Sequence, residues 1–218
     1  MIFTFDDLKT LFANKYEQTS APSIGAEIRN LFINLAVQNI LDRKKWKFAL
    51  KPGTGTTNGT AYLNLAADFS EHGIKDNTFK IAGESWTKIN EGEEDYYSSD
   101  ASVFYIIGNK SDGYQAYFPK SIPATSQAVT YRYYRDHTAY VLGTEICIIP
   151  KGETVADLAV GMYFQSEGEH DDAFPFLEMA ENGIKELEKQ ETRGKARRRM
   201  RDSYDNYGRD VYNVKDMY

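Results

Sequence analysis

The repeat distance of the apolar residues changes twice along this chain, from helical to strand-like and back again, and that order limits the folds open to it. In the first stretch Thr4 is followed three residues later by Asp7, a capping pattern, and Phe5, Leu8, Leu11, Phe12 and Tyr16 then share one helical face. QTSAPS interrupts that helix, with Ser20 or Ser23 available to cap a second. The second helix carries Ile24, Ile28, Leu31, Phe32, Leu35, Ala36, Ile40 and Leu41, a stripe expected to be core. Its end is marked by Arg43, Lys44 and Lys45, cations that complement a helix C-terminus.

From Lys51 onward the pattern becomes short β-type runs separated by Gly, Asn and Asp. KPGTGTTNGT reads as a turn-rich loop, and strands are expected at 60–65, 78–81, 85–89, 102–107, 113–118 and 128–135. In the last of these Val129, Tyr131 and Tyr133 face one way and Thr130, Arg132 and Tyr134 the other, the alternation of a half-buried strand. The helical period returns after IIPKGE. Thr154 and Asp157 form a second capping pattern ahead of Val155, Leu158, Ala159, Met162 and Tyr163. A long helix follows from near Asp172, with Pro175 in its first turn and Phe176, Leu177, Ala180, Ile184 and Leu187 on one face. The expected class is α+β: a helical domain built from the N- and C-terminal helices, an inserted small antiparallel β domain and an extended C-terminal arm. The expected segments are 1–48, 49–151, 152–200 and 201–218.

Charge divides the chain differently. Residues 192–218 hold eight Lys and Arg against four Asp, leaving 18 bases against 28 acids, a balance of −10, in everything before them. The basic run is Arg193, Lys195, Arg197, Arg198, Arg199 and Arg201. Tyr204, Tyr207, Tyr212 and Tyr218 follow, at spacings that fit neither a helical nor a strand period. Arg and Tyr dominate binding hot spots, so this segment is the candidate partner-binding element. Immediately before it, 153–191 carries 11 acids and two lysines. Opposite charges on adjoining surfaces of each copy suit identical subunits joined head to tail. A DNA-binding module using Arg193 to Arg201 is the alternative reading of the same run.

Local sequence offers no support for catalysis. GTGTTNGT lacks the Lys-Ser/Thr of a phosphate-binding loop and precedes a strand, so it is expected to be a hairpin loop. His72, His137 and His170 are dispersed, with exposed loop positions expected for each, and Cys147 is expected to be a buried small hydrophobe. No Ser/His/Asp or Cys/His set is apparent, and a small hydrolase is the weaker rival. No metal or cofactor is expected. No apolar run approaches the length of a membrane helix, and MIFTFDDLKT has acids where a signal peptide needs a basic flank, so a cytoplasm is the expected compartment and no membrane partner is expected.

From LNLAADF, and more firmly from YFPKSIPATSQAVTYRYYRDH through IIPKGETVADLAVGMYFQSEGEHDDAFPFLEMAENGI, the chain resembles the head-to-tail adaptor (neck) proteins of tailed bacteriophages. Tyr133, Tyr134 and Arg135 correspond to the family's YYR strand, Ile149 and Pro150 to its IP step, and 156–164 to the helix that follows. Asp136-His137 stands where the family often has proline. The likeness spans most of residues 1–190 and is one of order and texture, without a catalytic signature. It implies a structural virion protein and no enzyme: a ring, typically dodecameric, on the portal vertex, which extends the DNA channel and offers a platform for tail attachment. The implied partners are the portal protein, tail or further neck proteins and other copies of the chain, with packaged DNA passing through without sequence-specific binding. The implied location is the virion neck, after assembly in the bacterial host cytoplasm. Arg193, Lys195, Arg197, Arg198, Arg199, Arg201 and the four tail tyrosines would form the portal-docking arm.

Overall fold

The computed structural model describes residues 2–17, 19 and 24–210, with side chains to Thr192. The fold is α+β. The helices are α1 (Phe5–Glu17), α2 (Ala26–Asp42), α3 (Gly152–Glu167) and α4 (His170–Asp210). The strands are β1 (Leu50–Thr56), β2 (Tyr62–Asn64), β3 (Phe69–Ile74), β4 (Lys80–Ile81), β5 (Glu84–Ser85), β6 (Thr87–Lys88), β7 (Val103–Asn109), β8 (Gly113–Tyr117) and β9 (Ala128–Arg135). Two compact units result, Met1–Ala36 with Ile149–Tyr218 and Val37–Ile148. The border falls within α2, ahead of the expected one at residue 48, because the end of this helix is tied into the second unit. Trp46, fully buried, donates its Nε1 hydrogen to the Ile40 carbonyl at 2.6 Å, and His72 Nε2 lies 3.0 Å from the Leu41 carbonyl.

In the helical unit α1 starts at the expected capping box. The Thr4 N–H donates to Asp7 Oδ2 at 2.8 Å and the Asp7 N–H donates back to Thr4 Oγ1 at 3.2 Å. The Thr4 N–H and the Thr4 hydroxyl, both donating to Asp7 Oδ2, hold the Asp7 carboxyl below its ordinary range. α3 is the centre of the unit, with Val155, Ala156, Leu158, Ala159, Val160 and Phe164 all buried between α1 and α4. α4 meets α3 at two glycines. A Cβ on Gly161 would lie 2.7 Å from Leu177 Cδ2, and one on Gly183 would lie 2.2 Å from Thr154 Oγ1. Thr154 is therefore no cap. α3 begins two residues earlier, at Gly152, and Thr154 sits inside it, 1% exposed against α4. An aromatic cluster joins the helices: Tyr16 stacks on Phe164 at 5.5 Å, and Phe32 meets Tyr163 edge-on at 5.5 Å.

The second unit holds two sheets. In the first, β9 is central, antiparallel to β1 along one edge and to both β3 and β4 along the other, with β5 beyond β4. The second runs β2-β8-β7-β6. Its β6–β7 pair is parallel, a departure from the antiparallel expectation. The long 89–102 connection, with its acidic loop, is what permits it, since parallel neighbours need a crossover of a dozen or so residues. Val129, Tyr131 and Tyr133 are buried as the alternation of β9 predicts, and Phe79 stacks on Phe104 at 4.2 Å in the same core.

β1 and β3 were not anticipated. KPGTGT is a strand despite its glycines because Gly53 lies opposite Tyr131, where a Cβ would come within 2.5 Å of the ring. The glycine makes room for a buried tyrosine whose hydroxyl accepts a hydrogen bond from the Ala66 N–H at 3.0 Å. β3 carries His72, which is half-buried and not an exposed loop residue.

Candidate partner-binding surfaces

α4 carries most of the residues expected from the sequence to bind a partner. Its buried side chains are Ala173, Phe176, Ala180, Ile184 and Leu187, spaced for one face against α3. The backbone then continues as helix from 188 to 210, about 35 Å at 1.5 Å per residue. Arg193, Lys195, Arg197, Arg198, Arg199, Arg201, Tyr204 and Tyr207 all lie on this distal helix, whereas Tyr212 and Tyr218 lie outside the described residues. The arm expected to be extended from residue 201 is thus helical to Asp210. KARRRMR explains it: Ala, Arg, Lys and Met are good helix formers, and no proline follows Pro175. Tyrosines alone show no period, but with Met200, Val211 and Val214 included the positions 200, 204, 207, 211, 214 and 218 recur at alternating steps of four and three.

The proximal part of the unit is acidic and only partly neutralised from within. Lys151 pairs with Glu186, and Lys15 Nζ lies 2.7 Å from Asp157 Oδ1. Burial raises the Asp157 carboxyl, and the hydrogen bond from Lys15 recovers only part of that cost. Charges that face solvent, such as Asp171, Asp172 and Glu178, make the proximal part negative, ahead of the basic run in the sequence.

α2 differs from expectation in a way that bears on partners. Its buried residues are Ile33, Ala36, Val37, Ile40 and Leu41, while Ile28, Leu31 and Leu35 are 46%, 54% and 41% exposed. The expected stripe had merged two faces. Apolar residues occur nearly all round this helix, so periodicity cannot choose which side is core. The outward set, Ile28, Leu31 and Leu35, follows steps of three and four, the spacing of a helix-packing seam.

The sheet unit presents two further features. Tyr62, Tyr117 and Tyr105 stand in register across β2, β8 and β7, with ring centroids 4.9 Å and 5.1 Å apart. The next row on β2 and β8 is Asn64 and Gln115, joined by a 2.7 Å hydrogen bond. An open cleft of about 470 Å³ is lined by Phe69, Glu71, Lys88, Asn90, Tyr105 and Tyr114, among others. Partial burial and the nearby Lys45 hold the Lys88 amine below the ordinary lysine range.

The remaining polar clusters are tied by contacts within the chain. Asp68 accepts from Lys51 Nζ at 2.8 Å and from the Tyr133 hydroxyl at 2.5 Å. Burial would raise the Asp68 carboxyl, but these two donors outweigh it and hold the group below its usual range. His137 is half-buried, with its ring edge-on to Tyr140 at 4.6 Å. Burial lowers its imidazole to about 4, against the opposing pull of Asp136. His170 opens α4 and is exposed, and Cys147 is buried. Among the described residues no group of three or more His, Cys, Asp or Glu is placed to hold a metal ion, and no helix is long and apolar enough to cross a membrane. No protein-family model matches the chain, and no curated protein matches it in sequence.

Proposed function

We propose that this chain is a structural assembly protein of the head-to-tail adaptor kind: a subunit of a ring on the portal vertex of a tailed bacteriophage, which extends the DNA channel and carries the tail. The observation that carries the reading is α4. Its proximal half is packed on α3 among acidic residues, and its backbone continues as helix through the chain's densest basic run. A basic helix end of this kind suits charge-assisted pairing with carboxylates on another protein. In this reading Lys195, Arg197, Arg198, Arg199 and Arg201 pair with carboxylates of the portal, and the tyrosine row on β2, β8 and β7 faces tail or further neck proteins. The role is non-catalytic, with DNA passing through the ring and no cofactor required.

The test is recovery of portal protein by the wild type, by the Arg197→Ser/Arg198→Ser/Arg199→Ser/Arg201→Ser variant and by a chain ending at Met200, at matched salt. Both altered chains should recover far less portal while keeping their helical and sheet signals. Equal recovery by all three would remove distal α4 from the mechanism. If the basic run instead serves duplex DNA, affinity for DNA should fall with salt at a log-log slope near roughly −5 for six neutralised phosphates.

A further inference from the structure

In the sheet unit, β7 is paired from Tyr105 to Asn109 by β8 on one side, but only at Val103 and Phe104 by β6 on the other. The Phe104 carbonyl accepts the Ile89 N–H at 2.9 Å on the β6 side, and strand alternation sends the N–H and C=O of Ile106 the same way. β8 agrees. The Leu65 N–H donates to the Tyr114 carbonyl and the Phe118 N–H to the Ala61 carbonyl, both at 2.9 Å, so Gln115 and Tyr117 are left to bond β7, at Ile107 and Tyr105. Beyond Phe104 the β6 side of β7 has no strand beside it among the described residues, and it opens into the cleft of about 470 Å³. Sheet edges are commonly blunted by proline or charge, yet this stretch reads Tyr-Ile-Ile-Gly-Asn. The opposite wall is β3, whose pairing with β9 breaks between Phe69 and Ile74. Gly73 lies in that break, buried, at φ +78°, where a Cβ would come 3.5 Å from Lys88 Nζ and 3.8 Å from Ile106 Cδ1. Glycine inside a strand marks a bulge or a place where another backbone approaches closely.

We infer that the uncovered edge of β7 is a strand-addition site, which takes an extended segment of another protein bearing an aspartate or glutamate. Ile106 gives and takes main-chain hydrogen bonds with that segment, and Lys88 pairs with its carboxylate. The open edge from Tyr105 to Asn109 is about 13 Å long at 3.3 Å per residue, enough for about four residues of extended chain. Lys88 selects the charge. Its amine lines the cleft at the end of β6, and partial burial with Lys45 nearby disfavours its cationic form against the weaker pull of Asp76. An incoming carboxylate offsets both effects. This site is separate from the basic run of α4, and it does not depend on the adaptor reading.

A random linear peptide library panned against the full-length chain supplies the probes, and the recovered peptides are synthesised and titrated by fluorescence polarisation. Peptides with an acidic residue should be enriched. Methylating their backbone amides one at a time should weaken binding at least about tenfold at alternate positions, because a strand-added peptide is held by its main chain. Exchange of the Ile106 amide hydrogen should slow at least about tenfold in the complex. Ile106→Pro deletes that donor on the side away from β8 and should abolish binding. Lys88→Gln should weaken the acidic peptides about tenfold and leave their amide analogues unchanged. If Ile106→Pro does not fold, the methylation series and the Ile106 exchange rate decide. Recovery of no peptide, or of peptides indifferent to backbone methylation and without effect on the Ile106 amide, would overturn the inference. Self-association of the wild type that Ile106→Pro abolishes would also overturn it, by making a second copy the occupant.

Discussion

Replacing Gly183 with Ala should loosen the clamp that holds α4 to α3. A Cβ at 183 lies 2.2 Å from Thr154 Oγ1, 2.9 Å from its Cγ2 and 3.0 Å from its Cβ. Turning χ1 of Thr154 can move the first two atoms but not the third, whose position is set by the α3 backbone, so the two helices must part. Overpacking of this kind costs about 3 kcal/mol at the upper end of its usual range. Ala returns about 1 kcal/mol over Gly in a helix interior, which leaves a net loss of about 2 kcal/mol. Urea unfolding followed by helical circular dichroism should show the midpoint falling by about 1 M at an unchanged slope of about 2 kcal/mol per M. Adding Thr154→Ala removes the opposing atoms, and the double variant should recover at least about 1 kcal/mol relative to the sum of the single changes. Thr154 Oγ1 is buried without a hydrogen-bond partner, so its deletion forfeits little. The reasoning fails if Gly183→Ala is stabilising by the helix-propensity gain alone, or if the two substitutions are simply additive.

Acidification should destabilise the sheet unit through His137. Its folded pKa of about 4 lies below the ordinary 6.5, so the unfolded chain takes up the proton first and stability falls as pH drops from about 6.5 to about 4, by up to about 3 kcal/mol in all. His137→Gln should flatten that part of a denaturation-versus-pH profile; the carboxyl of Asp136, also held low, adds its own loss only at more acid pH. On α2, Ile33→Ala should cost about 3 kcal/mol and Leu31→Ala less than about 1 kcal/mol in the isolated subunit, measured by denaturant midpoint. Equal costs would mean that the two faces are misassigned.

The parts of the fold that the sequence made legible are those where one face is apolar and the other is not. β9 alternates Val129, Tyr131 and Tyr133 with polar neighbours and was read correctly residue by residue. The Thr4–Asp7 box was read correctly because a cap is a local hydrogen-bond pattern, complete within four residues. Thr154–Asp157 has similar letters but lies inside α3, since a Thr beside a glycine of another helix can be selected for close packing instead. β1 was hidden for a related reason. Gly53 belongs to a strand only because Tyr131 occupies the space above it, a fact 78 positions away that no local window contains.

The candidate surface shows a different limit. Patterning identifies where apolar residues can be buried, but the same preference governs burial inside a subunit and burial between subunits. Ile28 and Leu31 were therefore grouped with Ala36 and Ile40 as one core stripe, although they lie on opposite sides of α2. A chain that folds alone gains by hiding both faces in its own core; one that keeps the second face in water has another use for it or risks aggregation. The two readings diverge in their response to concentration. Burial within a subunit stabilises it equally at any dilution, whereas burial between subunits contributes only as copies meet. Dilution should consequently lower the unfolding midpoint of the helical unit in wild type and leave that of Leu31→Glu unchanged, a difference that an internal core position cannot produce.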